Sequence, residues 1–195
     1  MCACEPSLRT PSFARIFVTD RLSCARPLPQ QVELLAAAGA VDAVILREKD
    51  LDADAYARLA AEVAAACARR GIAFAAHTQV GAARRIGCAA VHLPLPLLRA
   101  QGRPDGFAWV GTNVHEVEEV DEAEALGADA IVASPVFAPS CKPATTARGL
   151  PFLRAIVRRA HVPVLALGGI TDENEHLVRE SGAAGACRMA DYARR

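Results

Sequence analysis

One unit recurs along the chain: a short apolar run rich in β-branched residues, then a turn, then a stretch with apolar residues at helical spacing. The runs do not alternate between apolar and polar residues, which is typical of strands buried on both faces of a helix-covered parallel sheet. Eight such runs occur, at residues 16–18, 43–46, 72–75, 90–93, 108–110, 131–133, 162–167 and 184–187. This repeat argues against all-α and all-β folds.

Eight strand-helix units predict an α/β protein with the (β/α)8 TIM barrel fold. A doubly wound open sheet is the alternative, but the first strand is not followed by the glycine-rich turn of a dinucleotide-binding fold. After the second strand, Tyr56, Leu59, Val63 and Cys67 form an apolar stripe at helical spacing. Gly71 follows that stripe and predicts the end of this helix.

The balance of charges, the length of the apolar runs and the spacing of the cysteines limit the partners and ligands that we expect. Lys and Arg together number 22 and are balanced by 22 Asp and Glu, so nucleic acid is not expected as a partner. No apolar run is long enough to span a bilayer and no secretory leader is visible, so we expect a cytoplasmic protein with no membrane partner. Seven cysteines lack the paired spacing of a zinc site.

The same features predict the organisation of the chain. Its 195 residues suit a single barrel domain over residues 1–195, with residues 1–13 as a loose N-terminal extension. The sequence is compatible with a homo-oligomer and does not specify one.

Catalytic and binding residues of TIM barrels lie in the loops that follow the carboxyl ends of the strands. Seven of the residues found there are polar or charged, and two are glycines: Arg47, Lys49, His77, Asn113, Ser140, Lys142, Gly168, Gly169 and Arg188. Lys49 and Lys142 are the only lysines of the chain, and both follow predicted strands.

The loops after the seventh and eighth strands favour an anion. Gly168 and Gly169 allow backbone N–H groups to approach a ligand closely, and the positive ends of the following helices point the same way. We therefore predict that Gly168, Gly169 and Arg188 bind a phosphate. The pair Asp172 and Glu175 predicts a cap for the seventh helix.

The segments that follow the strands also form a recognisable series. They lie at residues 18–21, 46–50, 87–93, 127–129, 134–137, 142 and 168–170. In this order they resemble the thiamine phosphate synthase/TenI family of (β/α)8 proteins, from Phe17 to about Asp191. The resemblance implies a role in thiamine biosynthesis and a small-molecule ligand, a thiazole phosphate.

The synthase branch of this family joins a pyrimidine pyrophosphate to a thiazole phosphate and releases pyrophosphate, with a magnesium ion held by carboxylates. Arg47 and Lys49 match its pyrophosphate-binding Arg-x-Lys, and Lys142 matches the lysine of its strand-six loop. Its metal ligands are missing: its Asn-Asp after the third strand is replaced by His77 and Thr78. The glycine and the second Asp after the fourth strand are likewise absent from residues 94–97.

The TenI branch is a thiazole tautomerase, which aromatises a carboxythiazole phosphate by moving a proton and needs no metal. Residues 92–94, His-Leu-Pro, and 140–142, Ser-Cys-Lys, look like that branch, although its strand-six histidine falls on Pro135. The resemblance points to His77 as the catalytic group that titrates near neutrality and to Lys142 as the catalytic cation that holds the carboxylate.

We therefore expect a metal-independent tautomerase without a cofactor, in which Arg47, Lys49, Asn113 and Ser140 bind the substrate. Two alternatives remain. One is the Mg²⁺-dependent synthase, with Asn113 in the place of the family's serine. The other is a non-catalytic phosphate-ligand binding or regulatory protein. His92, in contrast, follows a buried-strand pattern and is expected to be structural.

A charge-conserving substitution tests the role of Lys142. An ammonium is a compact point charge, whereas a guanidinium is planar and needs different geometry. Lys142→Arg is therefore expected to weaken ligand binding or turnover measurably in a binding or rate assay. An unaffected variant would make Lys142 an ordinary loop residue.

Overall fold

The computed structural model describes residues 13–138 and 146–195. Eight parallel strands close into a barrel in chain order, which confirms the (β/α)8 TIM barrel and excludes the open sheet. The strands are β1 (Ala14–Val18), β2 (Ala43–Leu46), β3 (Ala73–His77), β4 (Ala90–Pro94), β5 (Trp109–Val114), β6 (Ala130–Ala133), β7 (Val164–Leu167) and β8 (Gly185–Arg188). Each includes part of one predicted run.

The helices surround the barrel. They are α1 (Leu28–Ala37), α2 (Ala53–Arg70), α3 (Val80–Arg85), α4 (Leu95–Gln101), α5 (Glu119–Ala125), α6 (Gly149–Arg159), α7 (Glu175–Glu180) and α8 (Ala190–Ala193). The longest, α2, begins where the Asp52 carboxylate accepts the N–H groups of Asp54 and Ala55. It ends at Gly71, whose φ of 66° is the left-handed conformation predicted for this position.

Strand alternation divides the apolar side chains into two clusters. One cluster fills the barrel interior and contains every second residue of the strands: Ile16, Val18, Ile45, Ala75, Val132, Leu165 and Cys187. The intervening residues, such as Phe17, Val44 and Ala186, pack outward with the helices in the larger cluster. The direction of any strand-end side chain therefore follows from its position in this alternation.

The structure does not test two predictions about the organisation of the chain. Residues 1–12 of the predicted N-terminal extension lie outside the described residues. The single-domain prediction for residues 1–195 remains a prediction. Within residues 13–138 and 146–195, no helix combines the length and the apolarity that crossing a membrane requires.

Packing inside the barrel yields a stability prediction. Trp109 packs against the interior cluster, and a Cβ on Gly111 would lie 2.8 Å from its Cζ3 atom. Gly111→Ala is expected to lower the free energy of unfolding by about 1–3 kcal/mol, because the partly buried indole must shift. Chemical denaturation measures this value. The matched control is Gly81→Ala in α3, where a Cβ meets nothing within 4 Å; equal effects would contradict the packing argument.

Candidate active site

Three of the predicted site residues, Arg47, His77 and Asn113, share the inward direction at the carboxyl ends of the strands, and His92 joins them. Arg47 follows the inward Ile45 and His77 follows the inward Ala75 by two residues, and His92 and Asn113 continue the inward series of Ala90 and Trp109. The rings of His77 and His92 stack, with centroids 5.3 Å apart and planes 13° from parallel. The positive charge of Arg47 acts on the pKa of both histidines, and Lys49 acts on that of His77. The structure thus groups two cations and two imidazoles at the barrel mouth.

A buried carboxylate, Glu48, joins the loop after β1 to the loop after β2, which carries both cations. The Thr19 hydroxyl donates to Glu48 at 2.6 Å and accepts the backbone N–H of Arg47 at 2.9 Å. Arg21 donates from its backbone and its guanidinium to Glu48, and it binds Asp50 with two further hydrogen bonds. This ion pair lowers the pKa of the Asp50 carboxyl. Both acidic residues of the segment are therefore engaged by Arg21, which sequence reasoning located but did not assign a role.

Both imidazoles are neutral at physiological pH. Burial, followed by the charge effects of His92, Arg47 and Lys49, lowers the pKa of His77 to about 3. Burial, together with the charge of Arg47, lowers the pKa of His92 to about 4. The prediction that His77 titrates near neutrality is therefore wrong, because the ring is buried beside two cations.

Local hydrogen bonds differ between the two histidines. The Nδ1 atom of His77 lies 2.7 Å from the hydroxyl of Thr78, which has a left-handed backbone with φ of 67°. Such a conformation in a β-branched residue is strained and occurs where function or packing imposes it. The Nδ1 atom of His92 is buried without a partner in the described structure, so the expected structural hydrogen bonding of His92 is incomplete.

Asn113 is oriented by His115, a neighbour that was not among the predicted site residues. His115 lies with Nδ1 2.8 Å from the backbone carbonyl of Ser134 and Nε2 2.8 Å from the Asn113 amide nitrogen. A carbonyl can only accept, so Nδ1 carries the proton and Nε2 of the neutral ring accepts from Asn113. His115 also borders a cavity of about 550 Å³, together with Arg148 and Phe152.

The two glycines after β7 are packed against another loop. A Cβ on Gly168 would lie 2.9 Å from the Pro135 Cα, and one on Gly169 would lie 2.6 Å from the Ala138 carbonyl oxygen. Phe137 donates its N–H to the Gly168 carbonyl at 3.0 Å. Close approach of the β6–α6 loop thus requires both glycines, and their phosphate-binding role remains a prediction.

Arg188 faces away from the barrel mouth, contrary to the phosphate prediction. Its side chain is 1% exposed and forms ion pairs with Asp172 at 2.6 Å, Asp191 at 3.1 Å and Glu175. Its guanidinium also lies 5.1 Å from the ring centroid of Tyr192. The position is outward in β8, next to the inward Cys187, so Arg188 stabilises the helix layer instead of a ligand.

The same cluster corrects the predicted helix cap. Neither Asp172 nor Glu175 caps α7, because both carboxylates bind Arg188. Asn174 precedes the helix instead, and its side chain bridges Thr171 N–H and the Gly169 carbonyl. Ser140 and Lys142 lie outside the described residues, so their predicted roles in binding and catalysis remain predictions.

The described donor set does not fit a magnesium ion held by the protein. Mg²⁺ prefers oxygen ligands, especially carboxylates. At the strand ends where the resemblance would place such ligands, the side chains are His77, Thr78 and Pro94. Within residues 13–138 and 146–195, no group of three or more His, Cys, Asp or Glu is arranged to hold a metal ion. The positive charge of Arg47 and Lys49 opposes a cation beside them.

Comparison with known proteins identifies relatives of this architecture. The family model described as thiamine monophosphate synthase matches residues 15–191. A thiamine-phosphate synthase of Syntrophomonas wolfei is 32% identical over 181 residues, which cover 89% of this chain and 85% of that protein. One from Methanocella arvoryzae is 36% identical over 156 residues, 77% of this chain and 73% of that protein.

A solved structure shares the fold. The thiamine phosphate pyrophosphorylase from Pyrococcus furiosus superimposes with a TM-score of 0.78 at 23% identity, covering 94% of this chain and 92% of that one. The relatives carry the name of the synthase branch. The prediction of a tautomerase is therefore wrong: the match of the TenI-like segments at residues 92–94 and 140–142 is outweighed by similarity along most of the chain.

The buried histidines predict a pH dependence of stability. Their folded-state pKa values of about 3 and about 4 lie below the ordinary value of 6.5. As the pH falls below 6.5, the unfolded chain takes up protons that the folded protein does not, so stability is lost on acidification. The expected loss is about 1–2 kcal/mol for each histidine between pH 6.5 and 5.

Chemical denaturation at pH 7 and pH 5 measures this loss. In the variant His77→Gln, the loss of stability on acidification should be smaller by the contribution of one histidine. An NMR titration of the imidazole signals gives an independent measurement. A midpoint between pH 6 and 7 for His77 or His92 would contradict the proposed burial and charge environment.

Proposed function

Since the chain belongs to the thiamine monophosphate synthase family, we propose that it joins a pyrimidine pyrophosphate to a thiazole phosphate with release of pyrophosphate. The observation that carries this proposal is the cation pair Arg47 and Lys49 at the barrel mouth, in a chain whose relatives are named thiamine-phosphate synthases. The two side chains match the pyrophosphate-binding Arg-x-Lys of the family.

The site chemistry suits a departing polyanion. When the bond between the pyrimidine and pyrophosphate breaks, the electron pair leaves with pyrophosphate, whose negative charge must be stabilised. Arg47 and Lys49 supply positive charge at this place, and both contribute, after burial and the effect of His92, to the low pKa of His77. The bond to the thiazole then replaces the bond that was lost.

The thiazole phosphate is assigned to the opposite part of the mouth. Gly168 and Gly169 follow β7, which is separated from β2 by β8 and β1 around the ring. Asn113 follows the inward positions of β5, between these two regions. We assign it to substrate contact, with Ser140 and Lys142 as further contacts from the β6–α6 loop.

A second candidate function follows from the donor set. The described residues contain no cluster of three or more His, Cys, Asp or Glu arranged to hold Mg²⁺. A protein that keeps the cation pair but lacks the metal ligands could bind the phosphate ligands without turnover. This binding or regulatory role is the alternative, and it is favoured by His77 and Thr78 at the end of β3, where the resemblance would place metal ligands.

Pyrophosphate release measures the proposed activity. The purified protein is incubated with pyrimidine pyrophosphate and thiazole phosphate, once with Mg²⁺ and once with a chelator. We expect release that depends on both substrates, and we expect Arg47→Gln to reduce the rate more than tenfold, because one of the two charges that stabilise the leaving group is lost.

Arg58→Gln is the matched control, because Arg58 is an exposed arginine of α2. It is expected to retain the activity of the unaltered chain. Binding of both ligands without release of pyrophosphate, with or without Mg²⁺, would select the binding role over the transferase.

A further inference from the structure

The ladder between β2 and β3 lacks its last direct hydrogen bond. Ala73 is paired with Ala43, and its N–H donates to the carbonyl of Asp42, the residue before its partner. In a parallel ladder this pattern repeats every two residues. If the pattern continued, the N–H of His77 would donate to the carbonyl of Leu46 at the carboxyl ends of the two strands.

A tyrosine hydroxyl occupies that position. The N–H of His77 donates to the Tyr56 hydroxyl at 2.9 Å, and the same hydroxyl donates to the Leu46 carbonyl at 2.7 Å. Tyr56 comes from α2 and is completely buried. Both backbone groups are thus satisfied, but through an inserted oxygen atom, so the two strands do not close on each other at this end.

The insertion lies directly beneath the candidate site. Arg47 follows Leu46 in the chain, and His77 is the residue whose N–H the hydroxyl accepts. The neighbouring strand pair, β1 and β2, has a direct backbone hydrogen bond at this end, in which Thr19 donates its N–H to the Ile45 carbonyl at 3.0 Å. On the other side, Thr78 donates to the His92 carbonyl at 3.0 Å. Of these three neighbouring strand pairs, only β2 and β3 have a hydroxyl inserted between their carboxyl ends.

We propose that Tyr56 is a positioning residue: its hydroxyl replaces the last β2–β3 hydrogen bond and sets the spacing between Arg47 and His77 at the barrel mouth. Arg47 is then held at the separation that admits an anion between it and the histidine pair. The effect on ligands rests on the proposed function, in which Arg47 binds pyrophosphate. The inserted hydroxyl itself rests on the two hydrogen bonds of Tyr56 and does not depend on that function.

Tyr56→Phe tests the effect on binding, with inorganic pyrophosphate as the probe in titration calorimetry. Without the hydroxyl, the strand ends close or lose their spacing, and pyrophosphate affinity is expected to fall about tenfold. The matched control is Tyr192→Phe. Tyr192 is also buried, and its hydroxyl donates to the Ala40 carbonyl at 2.6 Å, before the start of β2 at the other end of the barrel.

Each variant loses one buried tyrosine hydroxyl, so both are expected to unfold at a lower temperature than the unaltered chain. Only Tyr56→Phe should change pyrophosphate affinity. Equal affinities of the two variants would overturn the positioning role. If the unaltered chain does not bind pyrophosphate at all, the proposed function fails and the positioning of Arg47 for that ligand fails with it.

NMR of the unaltered protein tests the inserted hydroxyl independently of any ligand and of any variant. A direct hydrogen bond gives a scalar coupling between the amide nitrogen of the donor and the carbonyl carbon of the acceptor. We expect this coupling for Ala73 and Asp42 and none for His77 and Leu46. A coupling between His77 and Leu46 would overturn the inference whatever the binding results show.

Discussion

The two-residue alternation of a closed parallel barrel is the constraint on which the site depends. A strand side chain points either into the barrel or into the helix layer, and a shift of one residue exchanges the two. Arg47, His77 and Asn113 meet at the mouth because each continues an inward series. Arg188 occupies the position next to the inward Cys187, so its side chain points outward and forms ion pairs with three carboxylates in the helix layer.

Much of the fold could be predicted from the sequence for the same reason. Strands buried on both faces leave apolar runs, and all eight appear in the structure. The direction of Arg188 could not be predicted, because Ala186 and Cys187 are both apolar and only the structure shows that Cys187 is the inward residue. Nor could the stacking of His77 on His92, because it depends on the β3–β4 register, which pairs residues 15 apart in the chain. Tyr56 fits its helical stripe, and nothing in that pattern indicates that its hydroxyl enters the sheet.

Charge at the mouth depends on how the acidic side chains of the β2–α2 loop are paired. Glu48 and Asp50 share a segment with Arg47 and Lys49, and Arg21 engages both carboxylates. Burial keeps the two histidines neutral, so they neither balance nor increase the charge of Arg47. The result is a positive site above an uncharged, stacked pair of rings. This arrangement favours an anion and opposes a metal cation held by the protein, which is the departure of this chain from the synthase pattern it otherwise resembles.

The most direct test of this account is a crystal structure of the protein grown with Mg²⁺ and pyrophosphate. The account predicts pyrophosphate oxygens within hydrogen-bonding distance of the side chains of Arg47 and Lys49, with Arg188 still paired to Asp172 and Glu175. A pyrophosphate bound at Arg188, or a magnesium ion coordinated by carboxylates of the protein at the ends of β3 and β4, would contradict it.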